Sequence, residues 1–306
     1  MIEVSRRAML GAGGLGVAAL MSRPALAAGA GSTLKIAPGL QLWTVKDELA
    51  RDFDGTLRAL KRIGYQRVEA AGWVGRTPAD FRKGIAAAGL ECVSCHFSMR
   101  DLIDEHESKL AQARDVGVRY FVASSPALTK PQDPAKSWNL GLAEAMTLAD
   151  WRRNADAMNR IGKSAKAMGM RFGYHNHAAE MLDYEGKNAF HELVRLTDPA
   201  LVTFELDLGW VAAAGHSPAQ TIDHHRDRIE LLHVKDISAK APGLNQISPD
   251  VASTPVGAGV IDWKPVFAAA DRANIQAWFV EQEPPFARPA LEGLAKSFAY
   301  LQTLKG

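Results

Sequence analysis

The stretch GYHNHAAE (173–180) brings His175, His177 and Glu180 together in a chain that has only nine histidines. Three further short segments repeat the theme. ELDLGW carries Glu205, Asp207 and Trp210, HVKD carries His233 and Lys235, and FVEQE carries Glu281 and Glu283. Imidazole and carboxylate groups ligate divalent transition metals, and imidazole moves protons near neutral pH. Residues i and i+2 of a strand share a face. His175 with His177, Glu205 with Asp207, and His233 with Lys235 therefore each form a pair pointing one way. Gln41, Glu69 and His96 end other β-like runs in the same manner. Burying so many ionisable groups together is costly unless a metal or a substrate compensates. A mixed His/Asp/His/Glu set suits Mn²⁺, Zn²⁺, Co²⁺, Fe²⁺ or Mg²⁺ without selecting among them.

Such a set works only if segments far apart in sequence converge. The apolar runs 39–44, 67–72, 92–97, 118–125, 171–177, 202–210, 230–236 and 277–283 read as strands. Several are apolar throughout the middle, as strands covered on both faces should be. Between them lie helical periodicities such as Leu49, Phe53, Leu57 and Leu60, then Trp151, Ala155, Met158 and Ile161, then Leu291, Leu294, Phe298 and Leu301. Eight strand–helix units in alternation predict an α/β fold, a closed (β/α)₈ TIM barrel with a parallel eight-stranded sheet. No GxGxxG follows the first strand, which argues against a dinucleotide-binding sheet. Two long strand-to-helix connections, after the fourth and seventh strands, belong on the carboxyl-terminal face, where such barrels build their sites.

The first 27 residues read differently. Arg6 and Arg7 precede the apolar LGAGGLGVAAL, and Ala25 and Ala27 fit a small-residue cleavage pattern. This is the form of a twin-arginine export signal, leaving residues 28–306 as one domain in the periplasm or otherwise outside the cytoplasm. Its removal takes away three arginines and one glutamate, so the formal charge falls from +2 to near zero. A near-neutral body offers no electrostatic footprint for nucleic acid or for anionic lipid. Cys92 and Cys95 are the only cysteines, too few for a structural zinc site, and they read as core packing.

In order along the chain, GLQLWTVKDEL, GYHNHAAE, ELDLGW, HVKD, TPVGAGVIDW and FVEQE resemble the xylose-isomerase-like TIM-barrel superfamily, the sugar phosphate isomerase/epimerase group. The likeness spans essentially all of residues 28–306. Relatives of this kind hold a divalent metal through a Glu, an Asp, a His and a Glu on the last four strands. The resemblance implies Asp207, His233 and Glu281 as ligands. His175 stands where many relatives carry the first Glu, and Trp210 where many carry a histidine.

That chemistry is abstraction of a proton beside a ketone. Return of the proton to the other face gives epimerisation, return to the neighbouring carbon gives isomerisation, and loss of a leaving group gives β-elimination. His177 is the expected base. Lys235 is expected either to steady negative charge or to pair with Asp236 or Glu205. Glu180 is a third candidate catalytic group. Gln41, Trp43, Glu69, His96, Trp210 and Glu283 are expected to contact sugar hydroxyls or stack on a sugar face. Export favours a free sugar, a 3-keto sugar or a 3-keto glycoside over a phosphorylated one, and the small carbohydrate is the expected partner, with self-association to a homo-oligomer left open. A metal-dependent nuclease would need more ligands and a basic face. A non-catalytic periplasmic sugar-binding barrel is the remaining alternative.

Overall fold

In a computed structural model, residues 32–247 and 251–304 are described. Residues 1–27, expected from the sequence to be an export signal, lie outside them. Eight parallel strands close into a barrel: β1 Gly39–Gln41, β2 Arg67–Ala71, β3 Glu91–Phe97, β4 Tyr120–Ala123, β5 Arg171–His175, β6 Val202–Asp207, β7 Ile229–Val234 and β8 Ala277–Val280. Each neighbours its successor, and β8 pairs with β1. Around them run helices α1 Lys46–Arg51, α2 Phe53–Ile63, α3 Pro78–Ala87, α4 Met99–Val116, α5 Trp138–Ala145, α6 Leu148–Ala167, α7 Ala189–Leu196, α8 Leu208–Ala213, α9 Pro218–His225, α10 Trp263–Ala270 and α11 Ala290–Thr303. No helix among the described residues is long and apolar enough to cross a membrane.

Alternation along the strands decides what faces inward. Tyr120, Val122, Leu231, Ala277 and Phe279 pack with Val93 as one apolar cluster, while Phe121, Phe172, Phe204, Leu232, Trp278 and Val280 join the much larger core that includes the helices. The first group fills the barrel interior. Continuing the same parity towards the carboxyl ends places His175, Asp207, His233 and Glu281 inside as well.

Several strands end sooner than the apolar runs suggest. β6 stops at Asp207, not residue 210, because the Asp207 carboxylate accepts from Trp210 N at 2.9 Å and caps α8. Gln41 Oε1 accepts from Trp43 N at 3.0 Å and turns the chain into a 3₁₀ segment, Leu42–Val45, so Trp43 lies beyond β1. The Leu49–Leu60 periodicity is broken into α1 and α2 by Asp52, whose side chain caps Gly55 N. Cys92 and Cys95 are both free thiols, as packing residues would be.

The long connection after β7 has its own organiser. Asp236 is fully buried and accepts from Ile237 N (3.0 Å), Gly257 N (2.9 Å), Gly259 N (3.2 Å), Ile261 N (3.3 Å) and Trp263 Nε1 (3.0 Å). A β-carbon at residue 259 would collide with this carboxylate, so only glycine lets the chain approach. Asp236 thus holds the TPVGAGVIDW segment rather than pairing with Lys235. Asp236→Ala orphans the amides it satisfies and should cost about 3–5 kcal/mol. Urea denaturation measures the loss, and an unchanged midpoint would show that the loop holds itself.

Candidate metal and carbohydrate site

Four side chains at the carboxyl ends of four consecutive strands come together. His175 ends β5, Asp207 ends β6, His233 is the penultimate residue of β7, and Glu281 directly follows β8. Asp207 lies opposite His233 in the β6–β7 ladder. Each of the four offers a ligand atom within 4.8 Å of the others, and all four are buried. His233 Nδ1 is 3.0 Å from Glu281 Oε2 and 3.7 Å from Asp207 Oδ2, and His175 Nε2 is 4.0 Å from the same Asp207 oxygen. Donors each about 2.1 Å from a tetrahedral zinc-type ion stand roughly 3.4 Å apart, so these spacings bracket the value required.

The orientation of each ligand is set from behind. Asp207 Oδ1 is committed to Trp210 N, while Oδ2 is buried and accepts no aligned hydrogen bond. The amide of Asn176 accepts from Asp207 N at 2.9 Å and joins the β5 and β6 ends. His233 turns its Nε2 to Glu69 Oε2 at 2.6 Å, which leaves Nδ1 for the Asp207–Glu281 side. Glu205 lies 3.4 Å from His175 Nδ1, 3.2 Å from His233 Nε2 and 2.6 Å from His96 Nε2. Glu69 also receives Gln41 Nε2 at 2.8 Å and sits 3.0 Å from His96. A carboxylate behind a ligating imidazole fixes its tautomer and raises its basicity.

Lys235 is fully buried among carboxylates, with Nζ 3.0 Å from Asp207 Oδ2, 2.9 Å from Glu281 Oε2 and 2.6 Å from Glu283 Oε1. Its partners are thus these three rather than Asp236 or Glu205. Burial pushes the ammonium towards neutrality, but the three carboxylates outweigh it and hold the pKa well above the lysine range. Burial likewise lowers His96, yet Glu69 and Glu205 raise it to about 9. His233 is raised well above the usual value against its burial, by Glu205, Glu281 and Asp207. His175 and His177 go the other way. Burial and neighbouring cationic groups depress both, His177 to about 3. Metal binding at this set would displace protons from imidazole, because only the neutral ring ligates.

Five acidic side chains, Glu69, Glu205, Asp207, Glu281 and Glu283, crowd this volume against Lys235 and the protonated His96 and His233 imidazoles, so negative charge is in excess. Such a donor set, with Asp207 Oδ2 left without an aligned partner, fits a divalent ion. His175, Asp207, His233 and Glu281 would hold it.

Above the cluster opens a cavity of about 510 Å³. Its lining includes Gln41, His96, His175, His177, Glu281 and Glu283, with Trp43, Phe97, Trp138 and Trp210 as aromatic walls. His177 packs between Trp138 (ring centroids 4.4 Å) and Trp210 (6.0 Å). Lys46 covers the outer face of Trp43, and Lys235 lies 4.6 Å from the Trp210 ring centre. Trp138, Asn139, Ser124 and Ser125 come from the connection after β4, where a long loop in the sequence was the available signal. Among the described residues, the other long connection, after β7, contributes nothing to this lining.

Three residues expected at the cavity lie elsewhere. Glu69 is fully buried beneath it, engaged with Gln41, His96 and His233, and does not line it. Glu180 is also fully buried, accepting from Tyr174 Oη at 2.6 Å and from His177 N at 3.0 Å, and burial raises its pKa to about 7. It positions the His177 backbone rather than reaching the cavity. Lys235 touches the ligand carboxylates but is screened from the cavity itself. Glu205, read as a strand-face partner of Asp207 and a possible partner of Lys235, proves to be the common contact of three imidazoles.

The closed parallel barrel, with an imidazole–carboxylate cluster at its carboxyl-terminal mouth that could hold a metal, defines a TIM barrel of the enzyme-like kind. The profile of the xylose isomerase-like TIM barrel family matches residues 57–304, and the chain belongs to that family. It is 26% identical over 255 residues to an inosose dehydratase of Geobacillus kaustophilus, covering 77% of this chain and 82% of that one. Its fold matches a sugar phosphate isomerase/epimerase from Parabacteroides distasonis with a TM-score of 0.69 at 24% identity, covering 87% and 93% of the two chains. It also matches a 3-keto-D-glucoside 4-epimerase from E. coli with a TM-score of 0.62 at 17% identity, covering 88% and 100%.

Asp207→Ala and Glu281→Ala should each abolish retention of a divalent ion at this cluster. Elemental analysis after desalting checks it, and full occupancy in both variants would refute the ligand set.

Proposed function

We propose that this protein is a divalent-metal-dependent enzyme that removes a proton beside the ketone of a non-phosphorylated keto sugar or 3-keto glycoside and returns it, as an isomerase or epimerase. The observation that carries the reading is the group His175, Asp207, His233 and Glu281 at the floor of a cavity walled by indoles. When bound, a divalent ion supplies a Lewis acid that favours ionisation beside a carbonyl. The remaining work falls to the chain. Trp43, Trp138 and Trp210 offer apolar faces to the C–H surface of a sugar ring, while Gln41, Glu283 and His96 offer polar atoms to its hydroxyls. No lysine or arginine is among the described residues lining the cavity, which favours a neutral substrate over a phosphorylated one. His177 is the base by position, since it lines the cavity against two tryptophans. Burial, then Lys235, depress its pKa to about 3, which keeps the imidazole unprotonated at neutral pH but makes it a weaker proton acceptor than a near-neutral histidine. Lys235 keeps Asp207 and Glu281 oriented and offsets their charge. Arg6, Arg7 and the apolar run behind them favour action outside the cytoplasm.

One observation favours a second reading. The relative from Geobacillus kaustophilus is named an inosose dehydratase. The same proton abstraction followed by loss of a β-hydroxyl would make this chain a lyase on a keto-polyol or keto-glycoside.

His177→Ala should keep its metal and lose turnover by about 10²–10⁴-fold. The assay is deuterium exchange from D₂O into 3-keto-glucose and its methyl glycoside, followed by proton NMR, with mass spectrometry distinguishing epimer from elimination product. An unchanged exchange rate removes His177 from the mechanism. Metal-loaded wild-type protein that exchanges no deuterium into either compound, or into an inosose assayed beside them, would overturn the proton-abstraction reading in favour of a binding protein.

A further inference from the structure

A second imidazole cluster lies on the outer helical layer, apart from the barrel mouth. His191 is on the first turn of α7, and His224 and His225 end α9. Each offers a ring nitrogen within 4.8 Å of the other two. The rings stand 5.2 Å (191–224), 4.9 Å (191–225) and 4.6 Å (224–225) apart, centre to centre. His191 and His224 are exposed, whereas His225 is only 8% exposed and packs against Phe190. Its Nε2 is enclosed and has no hydrogen-bond partner. A buried polar nitrogen without a partner costs stability, so it needs an explanation. Crowding three potential cations onto one patch needs one too. Asp183 acts on His191 but receives Asn245 Nδ2 at 3.0 Å, and Asp223 is bound bidentately to Arg272, at 3.0 and 2.7 Å, so among the described residues neither pairs directly with the three rings.

We propose that His191, His224 and His225 form a second metal site, which binds a zinc-type divalent ion (Zn²⁺, with Ni²⁺, Co²⁺ and Cu²⁺ as chemical relatives) and staples α7 to α9. Three neutral imidazoles select this class over Mg²⁺ or Ca²⁺, which require oxygen donors. The exposed side of the cluster leaves room for water to complete the coordination. The carboxyl-terminal end of α9 adds the negative end of its backbone dipole on the side where His224 and His225 stand. The two helices belong to successive βα units, one ahead of β6 and one ahead of β7. An ion joining them would cross-link the outer layer without entering the chemistry of the cavity.

The test uses untagged, full-length protein stripped with a chelator and titrated with zinc chloride by calorimetry, with bound zinc counted after desalting. Wild type should take two equivalents. The double variant His191→Ala/His224→Ala changes only exposed side chains and should take one, retained at the barrel mouth. The variant Asp207→Ala/Glu281→Ala should take the other, and zinc should raise its melting temperature until His191→Ala and His224→Ala are added to it. Circular dichroism confirms that the exposed-histidine variant is folded. If that variant binds as many equivalents as wild type, the second site does not exist.

Discussion

Everything at the mouth of this barrel depends on packing five carboxylates and four basic groups together, all buried except Glu283 and His96 at the cavity edge. Isolated ionised groups cannot be buried at such density, because each forfeits several kcal/mol of hydration. Here they survive because each carboxylate has one oxygen facing an imidazole, an amide or the Lys235 ammonium, while Glu69 Oε1 and Glu205 Oε1 stay without a hydrogen-bond partner among the described residues. Glu69 and Glu205 form the lower tier against His96, His175 and His233, and Asp207, Glu281 and Glu283 form the upper tier around Lys235. His233 belongs to both, with one ring nitrogen in each tier. A change at Glu69 would therefore be felt at the cavity although the side chain never reaches it.

The barrel supplies what no single segment can. Parallel strands put equivalent positions side by side at one end, and a two-residue alternation separates wall from interior. The same alternation that buries Phe279 and Leu231 in the barrel carries Glu281 and His233 to its mouth. A local irregularity intervenes: the β6–β7 register shifts between Phe204 and Glu205, just ahead of Asp207. What local structure adds is termination: Asp207 and Gln41 stop their strands by taking backbone amides with side-chain oxygens, and that fixes where the top of the barrel lies.

This explains which parts were readable from the chain. The eight alternating units, the ligating residue types and their i, i+2 spacing are local properties, and the sequence displays them directly. The tier to which a carboxylate belongs is not local. Glu69, Glu180 and Glu283 look alike at strand ends, yet one props up His233, one bonds to the backbone of His177, and one meets the cavity. Lys235 likewise could be placed on the right face, but its partners come from β6 and β8 and depend on barrel closure. Trp138 was hidden for a different reason. It starts a helix of ordinary appearance, and only the docking of the preceding long loop carries it over the site.

That docking separates two parts of the molecule. His175, Asp207, His233 and Glu281, the set placed to grip an ion at the barrel mouth, come from β5 to β8 and the residue after it, whereas Ser124, Ser125, Trp138 and Asn139 enter from the segment after β4. The shape of the cavity can thus diversify through insertions and replacements in one connection while the ion-gripping set stays untouched. The seam between the parts is the tilted contact of Trp138 with His177, so a lineage that remodels the connection must preserve that contact or find the imidazole another support.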